Sequence, residues 1–228
     1  MEISPIADFR SPLPTKFGIP RQSGLAEGLS GRIVFRPEFR NPDALRGLGG
    51  AEGFDRIWIL WEFSGVPQAK AWQPTVRPPR LGGNVRMGVW ATRSPFRPNR
   101  LGLSCVKIVS IAEDGSEICV SGADLMDGTP IYDIKPYLVY ADSFPDAATG
   151  FATGAPEPTL EVRWAEGLQN PFSPADTEAL RQLLALDPRP AFQDEPGRRY
   201  AMTFGGYDIA FTVSGGILTV ESIQNLTS

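Results

Sequence analysis

The chain has 228 residues, 42% of them hydrophobic and 21% charged, with a formal net charge of −4. That is enough apolar material for a packed core and argues against a disordered chain. Histidine is absent and Cys105 and Cys119 are the only cysteines, which excludes His-based triads, His–Cys dyads and His-ligated metals. A general base must then be a carboxylate, a lysine, a tyrosine or a cysteine. No metal site is expected, and the two thiols are expected to be buried and reduced. No apolar run approaches the ~20 residues of a membrane helix. The opening MEISPIADFR lacks the basic and apolar regions of an export signal. A soluble, cytoplasmic protein without membrane contact is expected.

In chain order, EISPIADF and GRIVFRP read as strands, and NPDALRGL as a short helical turn starting at Asp43. RIWILWEF (56–63) is aromatic and β-branched throughout, and reads as a central strand buried on both faces. VRMGVWAT (85–92) alternates: Val85, Met87, Val89 and Ala91 against Arg86, Gly88, Trp90 and Thr92. LGLSCVKIVSI and EICVSGADL flank Asp114-Gly115, a strong hairpin signal. The 24 glycines and 22 prolines are spread along the chain, as suits a fold with many turns. Strands without regular βαβ alternation predict a closed or nearly closed β-barrel over residues 1–141.

Residues 142–159, DSFPDAATGFATGAPEPT, read as a linker or long connection. Beyond it, Ser173 is a good N-cap, Pro174 suits the first helical position, and Leu180, Leu183 and Leu184 form an apolar stripe. Asp187-Pro188 should end that helix. RRYAMTF, YDIAFTV and ILTVESI, separated by Gly-Gly and Ser-Gly-Gly, read as a three-strand meander. The whole is mainly β, with a small α+β unit over 160–228.

Charge is distributed in blocks. Residues 63–112 contain no acid but hold Lys70, Arg77, Arg80, Arg86, Arg93, Arg97, Arg100 and Lys107, a charge of +8. Residues 142–195 hold ten acids against three arginines. Such asymmetry suits a positive surface for an anionic partner. Of the 22 basic residues 18 are arginine, whose forks suit phosphate and stack on bases.

Four polar, rigid segments lie between strands: GIPRQSG (18–24), RPPRLGG (77–83), ATRSPFRPNRLGLS (91–104) and DLMDGTPIYDIKPY (124–137). Pro95 and Pro98 fix φ and lower the entropy lost on binding a ligand. Asp124, Asp127, Asp133, Lys135 and Tyr137 crowd the last segment, where Asp133 and Lys135 also suit an ordinary surface pair. No strand leads into a glycine-rich nucleotide-binding turn, so a nucleotide-like cofactor would need another cradle.

IPRQ (19–22), ALRGL (44–48), WQPTVRPPRLGG (72–83), MGVWATRSPFRPN (87–99), LGLS (101–104), DLMDGTPIYDIKPYL (124–138) and DPRPAF (187–192) run in one register. Together they closely resemble the TrmO, or TsaA-like, family. These are β-barrel tRNA methyltransferases that use S-adenosylmethionine on N6 of the threonylcarbamoylated adenosine beside the anticodon. The resemblance implies cofactor contacts at Pro20, Arg21, Gln22, Met87, Gly88, Thr92, Arg93, Ser94, Arg97, Pro98, Asn99, Leu125, Asp127, Gly128, Thr129 and Pro130. It also implies a homodimer with the site near the subunit interface, docked on the tRNA anticodon loop. The chain departs from the family at Arg56 and Ser64, where histidine is common, and at Arg100, where proline is common.

Methyl transfer from a sulfonium rests mainly on alignment. The amine nucleophile must lose a proton, and Asp133, tuned by Lys135 and Tyr137, is the expected acceptor. Arg77, Arg80, Arg86 and Arg100 are the expected RNA contacts, with Arg93 and Arg97 as the anion-binding wall. A tRNA-binding barrel without catalysis, or a ligand-sensing barrel, would share the charge pattern but not the donor site.

Overall fold

The computed structural model describes residues 2–66, 72–189, 195 and 197–226, the side chain of Arg80 excepted. Six strands pair in a ring: β1 (Ala7–Arg10), β2 (Ser30–Phe35), β3 (Arg56–Glu62), β6 (Leu101–Ile111), β7 (Glu117–Ser121) and β8 (Pro130–Pro136). Their spatial order is β1-β2-β7-β6-β3-β8, with β8 returning to β1. All neighbours are antiparallel and the sheet closes as a barrel, which leaves no open edge to aggregate.

The period of two sends alternate side chains inward. Phe9, Ile33, Ile57, Ile59, Trp61, Val106, Ile118, Val120 and Ile131 form the barrel core. β3 is central, flanked by β6 and β8, but it is not buried on both faces. Its Trp58, Leu60 and Glu62 point outward and are half covered, because a barrel has one interior. The β6–β7 hairpin turns as expected. Gly115 takes φ 69°, and the Ser116 N–H donates to the Asp114 carboxylate at 3.0 Å.

Three further readings change. The helical turn is Pro42–Leu45, opened by Asn41, whose side chain accepts the Asp43 N–H at 2.9 Å. VRMGVWAT is not a strand along its length. Only β5 (Met87–Gly88) pairs, with the equally short β4 (Thr75–Val76), before a tight turn over Val89–Ala91. The Val89 N–H still reaches the Pro74 carbonyl at 2.9 Å, in register with the pair, but Pro74 has no N–H to return, and the ladder stops there. The second half of DLMDGTPIYDIKPY is not a loop but β8, the strand that closes the ring.

After α1 (Val139–Asp142) come β9 (Glu161–Trp164), α2 (Pro174–Ala185), β10 (Arg199–Phe204), β11 (Tyr207–Ser214) and β12 (Ile217–Asn225). The meander forms as read, its two turns built on glycines with positive φ at Gly205, Gly206, Gly215 and Gly216. β9 extends it by pairing parallel to β12. Ser173 caps α2 by accepting the Asp176 N–H at 3.1 Å. The helix stops before Asp187, which sits at φ 52°, a conformation that Asp tolerates better than most residues.

A second core contains Leu180, Leu183 and Leu184 of α2, with Phe204, Ile209, Phe211 and Leu218 of the sheet. Leu13, Ala26 and Leu29 belong to this core too. The Gly28 N–H donates to Gln182 at 3.0 Å and the Gly205 N–H to the Pro12 carbonyl at 2.8 Å. The C-terminal unit therefore clamps the segment between β1 and β2. No helix among the described residues is long and apolar enough to cross a membrane.

Candidate functional site

Where β3 and β6 meet three connections, around residues 16–22, 92–97 and 124–129, a cavity of about 460 Å³ opens. That volume lies in the ~300–1,000 Å³ range of small-molecule sites. Its apolar wall includes Trp58, Trp61, Phe63, Leu103 and Met126, and its charged groups are Lys16, Arg21, Glu62, Arg93, Arg97 and Asp124. Gly102 lies under the Trp61 ring, in space a Cβ would take, and so lets Trp61 lie flat on β6.

The ATRSPFRPN connection is braced by its own polar groups. The Thr92 hydroxyl donates to the Val89 carbonyl at 2.9 Å, and Arg97 donates to the carbonyls of Thr92 at 2.7 Å and Val89 at 3.2 Å. The Arg97 guanidinium also lies 5.2 Å from the centre of the Trp90 ring, within cation–π range. Arg93 reaches across to the Gln22 side-chain oxygen. Arg100 donates to Glu62 at 2.8 Å and to the Val66 carbonyl at 2.7 Å, and Glu62 also accepts the Tyr132 hydroxyl at 2.7 Å.

Asp124 is tied to the barrel core. The Trp61 indole N–H donates to the Ser104 hydroxyl at 2.9 Å, and that hydroxyl donates to Asp124 Oδ1 at 2.6 Å. Burial pushes the Asp124 carboxyl above its ordinary value, against the lowering effects of the Ser104 hydroxyl, backbone N–H groups and Arg93.

A larger cleft adjoins the cavity and shares Arg21, Gln22, Phe63, Val66, Thr92, Arg93, Pro95 and Arg97 with it. It carries Arg77, Arg86, Arg100 and Arg189, and Trp72 and Trp90 with ring centres 6.0 Å apart. Trp90 is 66% exposed. Residues of the 142–159 connection, among them Thr149, Phe151 and Pro156, form part of the cleft wall. Arg189 is held there by a two-pronged pair with Asp187, both contacts 2.8 Å. The rest of DPRPAF, 190–192, lies outside the described residues, as do Lys70 and the Arg80 side chain.

Of the residues implied for the cofactor, Pro20, Arg21, Gln22, Thr92, Arg93, Arg97 and Thr129 line the smaller cavity. Met87, Ser94 and Pro98 line only the larger cleft. Gly88, Asn99, Leu125, Asp127, Gly128 and Pro130 line neither. Leu125 is in the barrel core. Asp127 accepts the Ser11 N–H at 3.0 Å, and the Gly128 N–H donates to the Phe9 carbonyl at 2.8 Å, so this turn ties β8 to β1.

Asp133, Lys135 and Tyr137 line neither cavity. Asp133 and Lys135 pair at 2.9 Å with largely exposed side chains, and Tyr137 packs 5.8 Å from Trp58. Sequence reasoning missed Lys16, Trp58, Trp61, Phe63 and Ser104, which only the barrel brings together. Asp124 stood in the acid-rich segment with nothing to separate it from its neighbours. Cys105 and Cys119 are free and half-buried, less covered than expected, and burial raises the Cys105 thiol.

The chain matches the model of the tRNA-methyltransferase O N-terminal domain over residues 8–143 and that of the TrmO C-terminal domain over 157–226. It is 39% identical to the tRNA (adenine(37)-N6)-methyltransferase of Escherichia coli, over 96% of each chain. A protein of the same name from Eikenella corrodens is 50% identical over 75% of this chain and 97% of its own. A Pseudomonas aeruginosa relative described as a putative S-adenosylmethionine-dependent methyltransferase is 41% identical over 91% of this chain and 90% of its own. The crystal structure of TrmO from Pseudomonas aeruginosa superposes with a TM-score of 0.79 at 32% identity, covering 99% of this chain and 98% of that one.

Proposed function

This chain belongs to the tRNA-methyltransferase O family, and from that premise we propose that it transfers a methyl group from S-adenosylmethionine to N6 of tRNA adenine 37, as its relatives' names state for them. We take the substrate base to be the threonylcarbamoylated adenine. The observation that carries this reading is the shared wall. One cavity fit for a small charged ligand opens into a basic, aromatic cleft along the Thr92–Arg97 connection.

The residues present fit the donor. S-adenosylmethionine carries a carboxylate, an ammonium and a sulfonium, and the cavity offers both signs of charge on an aromatic floor. Arg93 is the better carboxylate partner. Arg97 commits its Nη1 to two carbonyls and lies against the Trp90 ring, so its role is to hold the loop. Pro20, Arg21 and Gln22 would close the opposite side. When bound, the donor supplies an electrophilic methyl; the chain aligns it, excludes water with Trp58, Trp61 and Phe63, and takes up a proton.

The larger cleft suits the anticodon loop. Its arginines offer phosphate contacts, and Trp72 and Trp90 offer faces for unpaired bases. Arg77, Arg80, Arg86 and Arg100 remain the proposed RNA contacts, with Arg100 partly occupied by Glu62. Val139, Tyr140 and Phe144 are strongly exposed, which supports a homodimer. Asp133, Lys135 and Tyr137 would then meet a reacting atom only across that interface. We also take 1–141 and 160–228 as the two folding units, joined by 142–159, with the segment after β1 shared between them.

The test is purified protein with labelled donor and total tRNA, followed by nucleoside analysis. Label in a methylated threonylcarbamoyladenosine is expected. Bound donor with no labelled nucleoside would favour an RNA-binding or ligand-sensing barrel instead.

A further inference from the structure

Within the smaller cavity one carboxylate is set apart by its wiring. The Trp61 indole N–H can only donate, so the Ser104 hydroxyl must accept from it. The single hydroxyl hydrogen is thereby directed at Asp124 Oδ1, at 2.6 Å, in the range of a hydrogen bond to an ionised oxygen. Ser104 and Trp61 are 1% and 6% exposed, so this chain cannot rotate freely. The backbone N–H groups of Ser23 and Asp124 lie close enough to favour the ionised carboxylate as well, though less than burial disfavours it. Ser104 holds Oδ1, and a carboxylate has roughly four lone-pair sites, so acceptor capacity remains for a ligand in the cavity that Asp124 lines.

We propose that Asp124 is the catalytic base of the methyl transfer, accepting the N6–H proton of the adenine through a free lone pair of its carboxylate. The inference rests on the function proposed above. As the nitrogen lone pair forms the N–C bond to the methyl, the C–S bond breaks and its electron pair stays on sulfur. The N–H proton passes to the Asp124 carboxylate and leaves to solvent through the cavity mouth. Trp61 and Ser104 are positioning residues that hold the carboxylate toward the reacting nitrogen.

The other charged groups lining this cavity are Lys16, Arg21, Arg93, Arg97 and Glu62. Glu62 is engaged by Arg100 and Tyr132, which leaves Asp124 as the carboxylate whose acceptor capacity faces a ligand. Desolvation makes it more basic than an exposed aspartate, as a proton acceptor working near neutral pH requires. Asp133, by contrast, is outside the cavity and paired with Lys135.

The experiment compares wild type, Asp124→Asn, Ser104→Ala and Asp133→Asn, with donor binding followed by calorimetry and methylation followed on tRNA across pH. Asp124→Asn should lose about 10²–10⁴-fold in kcat and lose the acid limb of kcat/KM, while donor affinity stays within about threefold. Ser104→Ala should shift that limb without abolishing it. Independently of turnover, carbon-13 NMR of the unliganded wild type should show the Asp124 carboxyl titrating above the exposed aspartates. Near-normal turnover in Asp124→Asn, donor affinity lost in step with activity, or an ordinary titration would overturn the assignment. If Asp133→Asn alone loses turnover, the base lies across the dimer interface. If wild type itself methylates no tRNA, the function proposed above falls, and this assignment with it.

Discussion

Arg93 donates to the side-chain oxygen of Gln22, a residue 71 positions away. This contact joins the proline-braced connection before β6 to the loop clamped by the C-terminal unit, and it closes the smaller cavity from two sides. Arg93→Ala should weaken S-adenosylmethionine binding by about tenfold or more, since each ~1.4 kcal/mol is a factor of ten and a charge-assisted contact is lost. Arg93→Lys should recover little, because an ammonium lacks the planar fork. Calorimetry on the free protein reads both.

Trp90 stands two-thirds exposed beside Trp72, with the Arg97 guanidinium against its ring. An exposed tryptophan in a basic cleft suits base stacking, worth ~1–3 kcal/mol per base. Trp90→Ala should raise the Kd for an anticodon stem-loop about 5–150-fold, and Trp90→Phe should retain most of the affinity. Donor binding should be unchanged in both, and an unchanged RNA Kd in Trp90→Ala would remove the stacking role.

Arg77 and Arg86 line the same cleft. If each meets a phosphate, removing either should lower the slope of log K against log salt by ~1. A weaker but equally salt-sensitive complex would assign them another task.

Leu13 is fully buried in the second core, a few residues before Pro20. Leu13→Ala should cost ~2–5 kcal/mol, seen as a lower denaturation midpoint. Donor affinity should also fall in the folded variant, because the clamp on the Pro20–Gln22 loop is loosened. Val213→Ala, in the same core but remote in sequence from that loop, should destabilise the fold with less effect on binding.

The raised Asp124 carboxyl has a consequence for stability, with burial as its main cause. The folded state binds this proton more tightly than the unfolded chain, so the group's contribution is greatest below the unfolded value. It is lost as pH rises through the folded value. Asp124→Asn should therefore melt above wild type at neutral pH, and the gap should close on acidification. Melting curves at pH 4 to 8 test the sign.

Much of the architecture was legible because it is local chemistry. The Asp114-Gly115 hairpin, the Ser173 cap and the paired glycines of the meander act through neighbouring residues, so their signals survive without tertiary context. The errors fell where distant contacts overrule local pattern. VRMGVWAT alternates like a strand, yet its partner is two residues long and is cut off at Pro74, which has no N–H to continue the ladder. IYDIKPY looked like part of a loop because its polar residues face out, and ring closure against β1 makes it a strand.

The same division holds for the site. By itself the sequence determined the chemical inventory: no histidine, an acid-free arginine block, prolines that stiffen the connections, and motifs in family register. Those are properties of residue identity and short spacing. Only the folded barrel decided which acid of the crowded 124–137 segment enters the cavity. Asp124 sits before the turn and bonds inward to Ser104, whereas Asp133 lies beyond it on the outer wall with Lys135. The physical reason is the strand's period of two combined with ring closure. Which face a side chain takes depends on register with strands far away in the chain, and that register is settled only when the core packs.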